Sequence, residues 1–460
     1  MSPLPPQPLS PLDGRYRAAV SELGEHLSEA ALNRARVHVE VEWLVTLTDH
    51  SLFGSTPLSA AHKDALRALV ADFGQQEIDE LATLEATTRH DVKAVEYFLR
   101  SRLRDLGLAS IEELTHFACT SEDINNLAYA ITVKDAVARV WLPRLRTLIA
   151  RLDAFAREQR DQPMLAHTHG QPATPTTVGK EFAVFAHRLA RVAGQIEAVE
   201  VLGKFSGATG TFSAHVAAEP SVDWPALAKS FVESLGLSFN PLTTQIESHD
   251  WQVELYQRVS HAGRILHNLC TDVWSYISTG YFTQIPQPGA TGSSTMPHKI
   301  NPIRFENAEA NLELASAILD SLAATLVTSR LQRDLTDSTT QRNIGVGFGH
   351  SLLAIDNILR GFDELAVNST RLAEDLDANW EVLAEAIQTV VRAEINAGRS
   401  SIADPYALLK DLTRGNRVGH AELATFIESL DIGDKAKQRL LALTPATYTG
   451  LASDLVDELG

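Results

Sequence analysis

Between Gly292 and Pro302 the chain reads Gly-Ser-Ser-Thr-Met-Pro-His-Lys-Ile-Asn-Pro. Small residues, hydroxyls, an amide, a histidine and a lysine crowd together there. A hydrophobic core has no use for that composition, and a plain Gly/Ser connector does not need Met-Pro-His-Lys-Ile-Asn-Pro. The stretch suits a loop that surrounds an anion and presents a serine. Serine is a poor base with its usual, very high pKa. Proton abstraction by a serine of this stretch therefore needs Lys299 and backbone N–H groups to stabilise the alkoxide, in a pocket closed to water. A loop that closes over substrate supplies both conditions.

Three other segments gather polar residues where a helical stripe begins or ends. Thr87-Thr88-Arg89-His90-Asp91 stands just ahead of a stripe that starts at Val92. A helix N-terminus offers free N–H groups and the positive end of the dipole, so an anion can sit there. A Thr/Asp cap beside an exposed histidine accounts for the same residues. Thr120-Ser121-Glu122-Asp123-Ile124-Asn125-Asn126 opens with an ordinary helix-start signal. Its two successive asparagines are less ordinary, because helix interiors disfavour them, and hydrogen bonding to a ligand is one use for them. His167-Thr168-His169-Gly170-Gln171-Pro172-Ala173-Thr174-Pro175 holds two prolines and a glycine, which predict a turn before the next helix. A His-x-His pair can bind a metal, but no Cys or His-x-x-x-His partner stands nearby. A histidine that titrates near neutrality and serves as a general acid is the better reading.

Weaker patterns carry less. Gly345, Gly347 and Gly349 alternate without the strand that a dinucleotide fingerprint requires, and Gly203-Lys204 lacks the upstream glycine of a phosphate-binding loop. Cys119 and Cys270 have no catalytic signature and read as packing.

The elements that must position these residues are helices. Leu142, Leu145, Leu148, Ile149, Leu152 and Phe155 recur at three- and four-residue spacings, with Arg144, Arg146 and Arg151 between them. Val92, Val95, Leu99, Leu103 and Leu106 do the same, and Gly107 predicts a stop. Sustained period-two alternation is scarce. The expectation is an all-α protein with a central bundle of long helices. Three regions are expected: 1–110, a central 111–367 that carries the loop at 288–302, and 368–460, where Asp404-Pro405 and Gly415 break short helices.

At 460 residues the chain can bury a sizeable core, and 44% hydrophobic with 21% charged residues is ordinary for a soluble globular protein. The net charge of -18 argues against non-specific binding to nucleic acid or to an anionic membrane. Two cysteines cannot build a disulfide framework, which fits a reducing cytoplasm. Pro3 to Pro11 lacks the basic and apolar regions of a secretory signal. Val273 to Pro297 has no Asp, Glu, Lys or Arg, but its Ser, Thr, Gln, Gly and Pro content excludes a membrane span.

Taken together, these segments resemble the adenylosuccinate lyase family, particularly its longer bacterial form, within the fumarase/aspartase superfamily. The likeness runs from Ser10-Pro11-Leu12-Asp13-Gly14-Arg15-Tyr16 through His90-Asp91-Val92-Lys93-Ala94-Val95-Glu96, the Thr120 and Thr168 segments and Thr243-Thr244-Gln245-Ile246-Glu247. It continues through the loop to Arg333-Asp334-Leu335-Thr336-Asp337-Ser338. The loop alone specifies the superfamily; the combination points to this member. The resemblance implies a fumarase/aspartase-like all-α fold, with small N- and C-terminal helical domains flanking the bundle. It also implies a homotetramer whose active sites are shared between chains, and no metal or organic cofactor. Its reactions are two steps of purine synthesis. Adenylosuccinate is cleaved to AMP and fumarate, and the succinyl-aminoimidazole carboxamide ribotide (SAICAR) is cleaved to its amide (AICAR) and fumarate.

Residue by residue, the resemblance makes Ser293 the base and His169 the acid that protonates the departing nitrogen. Glu306 orients His169, and His90 supports the phosphate end or the acid. Lys299 and Asn301 hold the carboxylate charge that develops when the Cβ proton leaves. Arg15, Tyr16, Arg89, His90, Asp91, Arg333, Ser338, Thr339, Thr340, Gln341 and Arg342 match nucleotide-binding positions. Thr120, Ser121 and Gln245 surround the succinyl group. These basic residues let an anionic substrate meet a basic pocket in an acidic protein. One departure is His167, where family members often carry Arg or Tyr. The runner-up readings are argininosuccinate lyase and then fumarase, neither of which needs a phosphate site. A catalytically silent helical oligomer is a different class, but it has no physical reason to keep Ser293, Lys299, Asn301 and His169 together.

Overall fold

The three- and four-residue spacing of apolar side chains becomes long helices in the computed structural model, which describes residues 7–286, 296, 299–413 and 418–459. Ser121–Ala136 leads through one π-type turn, Val137–Trp141, into Leu142–Glu158. Leu142, Leu145, Leu148, Leu152 and Phe155 are buried along it, as the spacing requires. Glu29–Asp49, Val178–Glu197, Asp250–Ser278, Ile303–Leu326 and Ile344–Asp363 are further long helices. Asp91–Asp105 stops where glycine relieves the chain: Leu106 caps it and Gly107 follows at φ 73°. Strand is confined, among the described residues, to three two-stranded sheets. Among the described residues no helix is long and apolar enough to cross a membrane.

By its contacts the chain forms two units. Residues up to Leu145, Val192–Arg264 and Ala310–Asp356 make the first; Arg146–Arg191, Ile265–Glu309 and the chain from Asn357 onward make the second.

The first unit is unusual for the charge it buries. Its helix Glu29–Asp49 is covered nearly all round, so Arg36 and Glu40 lie inside beside Val37, Val39, Val41 and Leu44. Ser121–Ala136 buries Glu122, Asp123, Asn125 and Asn126 in its first two turns. Buried charge is tolerated only when paired and hydrogen-bonded. Asp123 lies 2.8 Å from Lys204 Nζ, both with no exposure. The same carboxylate accepts from Thr120 N at 2.8 Å and from the backbone N–H groups of Ser206 and Gly207. Asn126 completes the clamp as a peptide would. Its Oδ1 accepts from Lys204 N at 2.8 Å and its Nδ2 donates to Lys204 O at 2.9 Å. An aromatic group of Trp43, Phe205 and Phe231 packs beneath, with ring centroids 4.4 to 5.1 Å apart.

The second unit centres on Phe155, Phe182, Phe282 and Phe362, which meet mostly edge to face. Its hairpin pairs β1 (Pro163–Thr168) with β2 (Gln171–Thr177). The sequence predicts only a turn in this place. Pro172 and Pro175 in fact lie within β2, which a two-stranded sheet allows because both strands are edges. Further along, Trp380, Leu383, Ile387, Val391, Leu423, Ile427 and Leu440 gather into a separate apolar cluster.

Val178–Glu197 approaches Leu142–Glu158 at Gly179. A Cβ there would stand 2.3 Å from Ala156 O and 2.5 Å from Arg160 Cα. Both obstacles are backbone, so no side chain can swing aside. Gly179→Ala should therefore destabilise the protein by about 1–3 kcal/mol or more. Urea unfolding would read this as a lower midpoint, and an unchanged midpoint would contradict the packing described.

Candidate active site

In the first unit a chain of polar contacts gathers residues that the sequence singled out. Arg36, 1% exposed, donates from Nη2 to Asp91 Oδ2 at 2.7 Å, from Nη1 to Asn33 Oδ1 at 2.7 Å and from Nε to Asn125 Oδ1 at 2.9 Å. Asp91 also lies 3.6 Å from Arg342 Nη2, while Arg342 Nη1 is 3.5 Å from Glu29. Asn125 Nδ2 donates to Glu122 Oε1 at 2.8 Å, and that oxygen is 2.9 Å from Arg333 Nη2. Arg333 Nη1 reaches Gln245 Oε1 at 3.4 Å. Asp91, Gln245, Arg333 and Arg342 thus share one network. Burial pushes the Asp91 carboxyl up, but Arg36, the Val92 N–H, His90 and Arg342 outweigh it and leave the pKa lowered. For Glu122 burial prevails over Arg333 and Asn125, and its pKa is raised.

The remaining first-unit candidates sit around this network. Arg89, in the left-handed region at φ 52°, ends one helix, and His90 caps the next by accepting from Lys93 N at 3.2 Å. Asp91 begins that helix. Thr120 caps Ser121–Ala136, and Ser121 is its first residue. Arg15 lies over the Tyr16 ring at 5.9 Å. Ser338, Thr339, Thr340 and Gln341 belong to the short helix Thr336–Gln341. Thr340 Oγ1 bonds back to Thr336 O, and buried Gln341 donates to Gln252. Arg342 is exposed beside a cavity of about 50 Å³ lined by Glu29, Tyr129 and Gln341. Asn125 and Asn126, read as possible ligand contacts, are spent instead on Arg36, Glu122 and the Lys204 backbone.

In the second unit His169 and Gly170 form the two-residue turn closing the hairpin, with φ 54° and 73°, between the paired Thr168 and Gln171. Such a turn needs two left-handed residues, so it lifts the imidazole to an exposed tip. His167 lines a cavity of about 470 Å³ with Glu181, Asp272, Tyr276 and Tyr281. Lys299 and Asn301 precede Ile303–Leu326, Lys299 exposed and Asn301 half-buried. Glu306, in the first turn, accepts from Trp274 Nε1 at 3.1 Å. Among the described residues no hydrogen bond joins it to His169. Ser293 lies outside the described residues, as does most of the loop at 288–302. Among the described residues no cluster of three His, Cys, Asp or Glu side chains suits a metal.

A sequence model described as "Lyase" matches residues 14–316, and one described as "Adenylosuccinate lyase C-terminal" matches 329–449. Adenylosuccinate lyase of Escherichia coli K12 is 49% identical over 98% of both chains. That of Haemophilus influenzae is 46% identical, again over 98% of each. The chain belongs to the adenylosuccinate lyase family. It is a lyase, and two crystallised proteins share its helical fold. A 3-carboxy-cis,cis-muconate lactonizing enzyme from Pseudomonas putida superposes with TM-score 0.73 at 21% identity, covering 96% of this chain and 97% of its own. A fumarate lyase from Mesorhizobium superposes with TM-score 0.74 at 19% identity, covering 95% and 97%.

Sequence reasoning about this family member missed Arg36, Glu122 and Lys204. Glu122 stands inside the Thr120 segment, where an acid at a helix start reads as a capping residue. Arg36 gave no signal, because one arginine in a helix normally marks its solvated face. Lys204 stood out only as a failed phosphate-loop match. Its burial makes a prediction. Asp123→Asn leaves an ammonium buried with no counter-charge and should cost about 3–5 kcal/mol. Exposed Glu306→Gln should stay within about 0.5 kcal/mol of wild type. Equal urea midpoints for the two variants would show that the Asp123–Lys204 pair does not anchor this region.

Proposed function

We propose that this lyase cleaves adenylosuccinate to AMP and fumarate, and SAICAR to AICAR and fumarate, as a cytoplasmic homotetramer without metal or organic cofactor. The observation that carries the reading is 46–49% identity to adenylosuccinate lyases across 98% of the chain. The Asp91–Arg342 and Glu122–Arg333 contacts support it, because they hold two guanidinium groups ready for a phosphate-bearing substrate.

In the proposed reaction Ser293, as alkoxide, takes the Cβ proton of the succinyl group. The electron pair moves onto the neighbouring carboxylate, where Lys299 and Asn301 hold it. It then returns to form the fumarate double bond as the C–N bond breaks. His169 gives a proton to the departing nitrogen. Arg15, Tyr16, Arg333, Ser338 and Arg342 hold the nucleotide, with Thr120, Ser121 and Gln245 about the succinyl group. Glu306 orients the His169 imidazole from a neighbouring copy; within one chain its Oε1 accepts from Trp274 Nε1.

Purified protein given adenylosuccinate should release equal amounts of AMP and fumarate, and EDTA should not alter the rate. Chromatography of the products decides this. Cleavage of argininosuccinate, with adenylosuccinate untouched, would overturn the reading.

The shared site makes a second prediction. His169→Ala and Ser293→Ala should each lose about 10²–10⁴-fold in kcat. If the two residues reach one site from different chains, randomly mixed tetramers rebuild intact sites. With equal amounts of each variant, about a quarter of sites are whole, from one half times one half. Dissociation and reassembly should restore roughly that fraction of activity, with mass spectrometry confirming mixed tetramers. Proven mixing without recovery would place both residues in one chain or remove one from the mechanism.

A further inference from the structure

Arg36 lies too deep to touch a substrate, yet its guanidinium is the branch point of the network. Its side chain is 2% exposed, against 18% for Arg333 and 44% for Arg342. One branch runs through Asp91 to Arg342, the other through Asn125 and Glu122 to Arg333. Contacts loosen outward along the first branch: 2.7 Å at Arg36–Asp91, but 3.6 Å at Asp91–Arg342 and 3.5 Å at Glu29–Arg342. A guanidinium held at such distances is oriented without being saturated, and keeps N–H groups for an incoming anion. The second branch ends similarly. Arg333 Nε is buried without a partner, as is Asp337 Oδ2 beside it. A planar fork with five donors in fixed directions suits Arg36 to this task, because one rigid group aims two carboxylate-bearing branches at once.

We propose that Arg36 is a positioning residue which, through Asp91 on one side and Asn125–Glu122 on the other, sets the aim of Arg342 and Arg333 toward the phosphate-bearing end of the substrate. This rests on the function proposed above. A lysine at the same place keeps the charge but has no planar fork, so it cannot hold both branches in their present directions.

The test uses the intact enzyme and two products that differ in carrying a phosphate. Arg36→Lys should raise KM for adenylosuccinate and the inhibition constant for AMP together, by about 10- to 100-fold, the loss of one or two hydrogen bonds to a charged group. Inhibition by fumarate, which carries no phosphate, should not change, and kcat should change far less than KM. Asn125→Ala cuts only the Arg333 branch and should give a smaller rise in the same direction. It also serves as the reading where Arg36→Lys fails to fold. A merely structural Arg36 would weaken AMP and fumarate alike, or would lower the melting temperature with both constants unchanged. Either result overturns the proposal. If the unmodified enzyme leaves adenylosuccinate intact, the parent reading falls. If it turns adenylosuccinate over and folded variants keep the wild-type constant for AMP, only the positioning role falls.

Discussion

A carboxylate with no exposure must find its counter-charge and its donors within reach, and much of the first unit follows from satisfying Asp123. Lys204 supplies the charge; the N–H groups of Thr120, Ser206 and Gly207 supply further donors. Meeting that demand fixes where Ser121–Ala136 starts. It also lays the 203–207 strand and loop across the helix start, where Asn126 holds the Lys204 peptide. With the helix start fixed, its neighbours have no freedom. Glu122 and Asn125 must face Arg333 and Arg36. Hydrophobic residues of similar volume could fill this space at equal or better stability. What they could not do is hold a row of charged side chains in set directions.

Much of this architecture was legible in the sequence, and the gaps have physical reasons. Helical spacing located Asp91–Asp105 and Leu142–Glu158 because their burial is one-sided: Leu142, Leu145, Leu148 and Leu152 all turn inward. The sequence shows the hairpin only as a turn, since β2 and the end of β1 mix Thr, Pro, Gln and His with few apolar residues. Period two leaves no trace where neither face is a clean apolar stripe. Asp91, Gln245, Arg333 and Arg342, distant in sequence, share one network in the fold. Their supporting residues were not legible. Burial of Arg36 depends on its helix being covered on almost every side, which no local pattern encodes.

His169 shows the opposite strategy from Asp123. Its backbone sits in the left-handed region at a cost on the order of 1 kcal/mol, and no hydrogen bond ties the ring among the described residues. The register of the hairpin, with Thr168 facing Gln171 and Pro163 facing Thr177, fixes the tip although the ring itself is unbound. Backbone pairing therefore fixes the place of His169, whereas Asp123 is fixed by bonds to its own carboxylate. Such a histidine is placed by its scaffold, with its side chain exposed at the hairpin tip.

The charge balance explains why the arginines need so much company. With 58 acidic against 40 basic side chains, the field around the protein repels anions at long range. The anion site proposed above must then work at short range, by oriented donors rather than by accumulated positive potential. Glu122 and Asp337 flank Arg333, and Asp91 and Glu29 flank Arg342. These carboxylates weaken the pull of each guanidinium on a ligand, because an arriving anion has to compete with them. They also keep each guanidinium in place while the site is empty, so little side-chain entropy remains to be lost on binding. The balance favours orientation over raw attraction. That choice suits an anion bearing several charges, for which the number of matched hydrogen bonds matters more than the net field at any one point.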